Sequence, residues 1–216
     1  DLKHRLYKLS DGTLKHIEVI PLFEQASTII HSDKILDKYL RLHQTEFKTN
    51  PSYLRPYVAR SDPALNSGIV PTVLAIKIAL SKYQKFEEKN GIPLFPIIGS
   101  ASLPFRGGLT PQTVEQFAKE YQGVKTALIQ SAFRYDYPKE EVVKAIKKLE
   151  HLLPQGRAKK ISTQEEKELI EIINSFEKIY QPTIEGIADK INIVAHSLPK
   201  RRERVQHIGL FGYSRG

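Results

Sequence analysis

Short apolar runs, several broken by proline, alternate along this chain with longer segments whose apolar residues recur every three or four positions, and this alternation constrains the fold most. Residues 17–23, 57–59, 92–98 and 124–130 read as strands, and 206–212 as a fifth. Pro21 and the prolines of 92–98 weaken those two runs as central strands, because proline gives no N–H to a ladder. Between the runs, Ile30, Leu36, Tyr39, Leu40 and His43 predict a helix over 27–43 that closes at Asn50-Pro51-Ser52. Val73, Ile76, Leu80 and Tyr83 follow Pro71 in a second helix, stopped by Asn90-Gly91. Thr110-Pro111 offers an N-cap and first residue for a third, running through Tyr121.

The remainder is mostly helical. Tyr137-Pro138 opens a helix with Val142, Ile146, Leu149 and Leu153 on one face. Ser162 and Glu165 have capping-box spacing ahead of Leu169, Ile172, Phe176 and Ile179. Pro182 is expected to open a separate helix with Ile184, Ile187, Ile191 and Val194, ended by Pro199.

Strands alternating with helices argue for a parallel α/β architecture, which an open sheet and a barrel both satisfy. Glu24, Asp62, the Arg106 loop and Arg215 each follow an expected strand. In a barrel those carboxyl ends share one mouth. A barrel needs eight strands where about five are legible, so the expectation is a partial TIM-type (β/α) barrel with its flanks missing. On this reading residues 1–216 belong to one catalytic barrel domain, with a helical insertion or extension at about 138–199.

Composition narrows the function classes. With 40% hydrophobic and 26% charged residues over 216 positions, the chain can bury a sizeable core. No apolar run approaches the length of a membrane span, so a soluble protein without a membrane partner is expected, with cytoplasm as the default compartment. The start, Asp1-Leu2-Lys3-His4-Arg5, resembles neither a signal peptide nor an initiator and suggests a piece of something longer. With no cysteine, any metal must use carboxylate, carbonyl or imidazole ligands. The 33 basic and 24 acidic residues leave a charge of +9, suited to nucleic acid, an anionic membrane or a phosphorylated substrate. The densest cluster, Lys200-Arg201-Arg202-Glu203-Arg204, is short, acid-interrupted and not interleaved with aromatic residues. Solvated faces explain it better than a nucleic-acid groove, and no nucleic-acid partner is expected.

Glu24 and Asp62 would bring hard oxygens to one rim, which suits Mg²⁺, although acids after strands also serve as caps or surface charges. Small residues in the loop from Gly99 to Gly108 let backbone approach an anion, and Arg106 offers a planar fork for phosphate or carboxylate. An ordinary turn carrying a surface arginine is the alternative. The loop matches neither the Walker phosphate loop nor the dinucleotide fingerprint.

Four motifs then stand in order: Val19-Ile20-Pro21-Leu22-Phe23-Glu24; Arg60-Ser61-Asp62-Pro63-Ala64-Leu65-Asn66-Ser67-Gly68; Phe105-Arg106-Gly107-Gly108; and Gly209-Leu210-Phe211-Gly212-Tyr213-Ser214-Arg215. In order and spacing they resemble the phosphoenolpyruvate carboxylases, and the short archaeal branch more than the long bacterial and plant enzymes. The resemblance spans residues 17–216. It implies carboxylation of phosphoenolpyruvate by bicarbonate to oxaloacetate and phosphate, through carboxyphosphate and enolpyruvate. By position it implies Glu24 and Asp62 as ligands of Mg²⁺ (or Mn²⁺), Arg106 as catalytic and phosphoryl-binding, and Arg215 as catalytic and facing the substrates. It further implies an allosteric homo-oligomer, a homotetramer being one form, completed by other segments of the same polypeptide.

The pattern departs at Ser100 and Leu65, where the long enzymes have an arginine and a lysine. None of the seven histidines precedes Pro-Thr, the family's upstream histidine motif, and His207 reads as a packing residue. The fragment alone is therefore expected to be inactive. Another Mg²⁺-dependent barrel enzyme acting on phosphoenolpyruvate, pyruvate or a related oxoacid is the second reading, and a basic nucleic-acid-binding module the distant third.

Overall fold

A computed structural model describes residues 18–195. The expected strand at 206–212, the Lys200 cluster, His207 and Arg215 lie outside the described residues. The elements are β1 (Leu22–Phe23), α1 (Ala26–Ile30), α2 (Ser32–Phe47), β2 (Tyr57–Val58), α3 (Ser61–Ser67), α4 (Ile69–Asn90) and β3 (Ile97–Ile98), then a 3₁₀ turn (Pro104–Arg106). They continue with α5 (Val114–Glu120), β4 (Thr126–Ala127), α6 (Ser131–Tyr135), α7 (Lys139–Gln155) and α8 (Thr163–Ala195).

The four strands form one parallel sheet in sequential order, β1-β2-β3-β4. All four are shorter than the runs read from sequence; β1 and β3 start late because Pro21 and Pro96 precede them and withhold N–H donors there. The prolines still accept: Tyr57 donates its N–H to the Pro21 carbonyl at 2.8 Å, and Ile97 to that of Pro56 at 2.8 Å. On the carboxyl side, Ala59 N–H reaches Phe23 and Gly99 N–H reaches Val58.

Register divides the sheet into two faces. Phe23, Val58 and Ile98 align and are buried against the helices in the main core, with α4 contributing Ile76, Ala79, Leu80 and Tyr83. The adjacent row, Leu22, Tyr57, Ile97 and Thr126, points the other way. Leu22 is 47% exposed there, so among the described residues that face is only partly covered.

Most helices begin and end where local chemistry predicts. Gly91 caps α4 in the left-handed region, and α7 follows Pro138 and buries Val142, Ala145, Leu149 and Leu153. Ser162 and Glu165 form the reciprocal capping box: Ser162 N–H donates to Glu165 Oε2 at 2.8 Å, and Glu165 N–H to Ser162 Oγ at 3.2 Å. Buried Ser81 Oγ accepts the Ile161 N–H, while Lys82 pairs with Glu166, so α4 fixes the start of α8.

Three helical expectations need correction. The helix over 27–43 is two helices meeting at His31, because Ser32 Oγ donates to the Ile29 carbonyl and breaks the run. Pro182 opens no new helix: it sits inside continuous α8, where losing one N–H removes a single rung while flanking turns hold. The third helix starts at Val114 rather than Pro111. Thr113 Oγ1 accepts the Thr110 N–H and donates to the Gly108 carbonyl, closing a turn over 110–113 that delays it.

Candidate active site

The carboxyl ends of β1, β2 and β3 deliver the site. Glu24 follows β1 directly, and Asp62 occupies the first turn of α3, three residues after β2 and Ala59. Arg106 ends the 3₁₀ turn of the loop leaving β3. The structure brings these three expected residues to one small cleft of about 70 Å³, whose wall also includes Tyr57, Arg60 and Ser100. Larger hollows lie at the opposite ends of the strands, around Tyr53 and around Lys125, away from these groups.

Arg106 is 3% exposed, so the alternative of a surface arginine on a plain turn does not hold. Its backbone is fastened on both sides: the Arg106 N–H donates to Leu103, and the Ala101 N–H donates to the Arg106 carbonyl at 2.8 Å. Gly107 follows at φ 102°, a left-handed conformation, and a β-carbon there would lie 3.3 Å from the Phe117 ring. Only glycine turns the chain here without strain, which aims the preceding arginine.

Tyr57 reports the electrostatics. Burial pushes its phenol above the ordinary tyrosine range, Glu24 and Asp62 push the same way, and Arg106 pulls it back. One hydroxyl therefore senses both carboxylates and the guanidinium. Alternation along a two-residue strand is the only signal in sequence for Tyr57, and Arg60 stands there merely as part of a motif.

The departures also find places. Ser100, buried, donates Oγ–H to the Leu128 carbonyl at 2.7 Å and so ties the loop to β4. Leu65 projects from α3, 47% exposed.

Among the described residues no group of three or more histidine, cysteine, aspartate or glutamate side chains gathers. The donor set at the cleft is instead two carboxylates, Glu24 exposed and Asp62 half-buried. That set fits Mg²⁺, which takes one or two carboxylates and fills its octahedron with water and substrate oxygens. It would not suit a cage-bound ion such as structural zinc. Among the described residues no helix is long and apolar enough to cross a membrane.

Comparison with known proteins agrees with the geometry. A phosphoenolpyruvate carboxylase of Leuconostoc mesenteroides subsp. mesenteroides is 40% identical over 215 residues, covering 100% of this chain and 43% of its own. Phosphoenolpyruvate carboxylases of Metallosphaera sedula and Methanothermobacter thermautotrophicus are 46% and 42% identical, over 93% and 92% of this chain and 38% and 39% of theirs. The chain thus spans about two fifths of the length of the curated relatives it matches. A family model described as phosphoenolpyruvate carboxylase matches residues 8–216, and the chain belongs to that family.

Proposed function

We propose that the protein carrying this chain carboxylates phosphoenolpyruvate with bicarbonate, giving oxaloacetate and inorganic phosphate, and that the cleft of Glu24, Asp62 and Arg106 is part of its active site. The observation carrying this reading is the meeting of two carboxylates and a buried, backbone-fixed arginine at the carboxyl ends of adjacent parallel strands. The sheet, in sequential order with helices against one face, is read as part of a TIM-type barrel. Residues 1–216 then belong to one catalytic domain, and the helices of about 138–199 extend it.

In the reaction a bicarbonate oxygen attacks phosphorus and the bond from phosphorus to the enol oxygen breaks, leaving carboxyphosphate and the enolate of pyruvate. Carboxyphosphate releases CO₂, its carboxyl proton passing to phosphate, and the enolate carbon attacks CO₂. Charge accumulates on the phosphoryl oxygens, and Arg106 presents its fork to them without rearranging. Glu24 and Asp62 would hold Mg²⁺, or Mn²⁺ in its place, which when bound supplies positive charge opposite the enolate and phosphoryl oxygens. Tyr57, its hydroxyl protonated at neutral pH, lines this cleft. Arg215, beyond the described residues, keeps the role the resemblance implies, facing the substrates. Assembly as a homo-oligomer and a cytoplasmic location belong to the same reading.

The test is bicarbonate dependence. Full-length protein supplied with phosphoenolpyruvate and Mg²⁺ is expected to release oxaloacetate and phosphate in equal amounts only when bicarbonate is present. Consumption of phosphoenolpyruvate at the same rate without bicarbonate would assign it to another barrel chemistry.

A further inference from the structure

Arg60 is 2% exposed, and carboxylates take no part in its hydrogen bonds to Tyr121, Phe105 and Pro104. Its Nε–H donates to the Tyr121 hydroxyl at 2.9 Å, and its Nη1 donates to the Phe105 carbonyl at 2.7 Å. Nη2 lies 3.5 Å from the Pro104 carbonyl. Burying a guanidinium is costly, and an apolar side chain would fill that space more cheaply, so its donors must be answering a specific need. The need visible here is the 104–106 turn, whose carbonyls point at Arg60 from the residues just before Arg106. The Arg60 stem also lines the turn, its Cγ 3.6 Å from where a β-carbon on Gly107 would stand.

Arg60 departs from the end of β2, two residues before Asp62, and reaches across to the loop leaving β3. It thus joins the segment bearing one carboxylate to the segment bearing the cleft arginine, with Tyr121 after α5 as the third anchor. A planar fork can engage a hydroxyl and a carbonyl at fixed angles together, which the point charge of lysine cannot do.

We infer that Arg60 is a positioning residue for Arg106, holding the 104–106 turn so that the Arg106 guanidinium meets the transferring phosphoryl group. This rests on the role proposed above for Arg106, and the test separates the two. In full-length protein, Arg60→Lys is expected to lower kcat/KM for phosphoenolpyruvate by at least about tenfold, as small displacements of a catalytic group do. In an Arg106→Ala background the same change is expected to cost less than about twofold, because its effect passes through Arg106. Should Arg60→Lys not fold, Tyr121→Phe, which removes one of Arg60's acceptors, runs through the same cycle with the same expectation of non-additivity. An equal fold-loss in both backgrounds, with Arg106→Ala itself impaired, overturns the positioning role alone. If Arg106→Ala leaves carboxylation unchanged, the reading of the cleft fails and the role of Arg60 falls with it.

Discussion

The Tyr57 hydroxyl lies 3.0 Å from the point a β-carbon on Gly99 would occupy, and the Tyr57 ring edge 3.3 Å from it. Gly99 is not in the left-handed region, so its backbone does not demand glycine; the close approach of Tyr57 does. Gly99→Ala is expected to displace the phenol and to cost about 1–3 kcal/mol, as overpacking does. Adding Tyr57→Phe removes the obstructing oxygen and is expected to restore more than half of that loss. Denaturant unfolding of the four proteins in the cycle decides it, and strict additivity would show that the two side chains do not meet.

Alkaline stability isolates a second tyrosine. Tyr83 is buried in the core and donates its hydroxyl to Ser32 Oγ at 2.8 Å, and burial lifts its phenol well above the ordinary value of 10.0. Between the unfolded and the raised folded value, the unfolded chain loses a proton that the folded chain keeps, so stability declines as pH rises above about 10. Tyr83→Phe lacks that decline. It is expected to be less stable than wild type by about 1 kcal/mol at neutral pH, for the lost hydrogen bond, with the gap closing above about pH 10. Unfolding free energies across that range check both parts; a gap that stays constant contradicts them.

Ser162→Ala removes half of the capping box at the start of α8 and is expected to cost about 1 kcal/mol. Thermal melting read by far-ultraviolet circular dichroism should fall by a few degrees, while Ser162→Asp, which keeps a capping oxygen, should hold it.

Features written in short stretches of sequence were legible before the structure. The stop at Asn90-Gly91, the Ser162–Glu165 box and the four strand positions each depend on near neighbours. So did the grouping of Glu24, Asp62 and Arg106, because a parallel α/β order sends every strand's carboxyl end to one side. What escaped depends on how a segment is used in the fold, whether its partners lie a few positions off or far away. Pro182 looks like a helix start unless α8 is seen to run through it, and Thr110 looks like a cap unless Thr113 is seen bonded to Gly108. The burial of Arg60 needs Tyr121, 61 positions away, and nothing near Arg60 in sequence announces it.

The metal assignment has a direct reading in Mn²⁺ binding by full-length protein, followed by electron paramagnetic resonance. Glu24→Gln and Asp62→Asn are each expected to weaken Mn²⁺ by about tenfold or more, since each removes one of the two carboxylates proposed to hold it. Glu120→Gln, whose carboxylate pairs with Lys77 and does not line the cleft, is expected to bind as wild type does. Unchanged affinity in both cleft variants would remove the ion from this cleft.

Oxaloacetate formation by full-length protein carrying Arg106→Lys separates a phosphoryl-binding fork from a mere positive charge, because the substitution keeps the charge and removes the planar geometry. In that variant kcat/KM for phosphoenolpyruvate is expected to fall by about a hundredfold, the scale of losing one preorganised donor to the transition state, with bicarbonate still required for what remains. Carboxylation at the wild-type rate in that variant would contradict it.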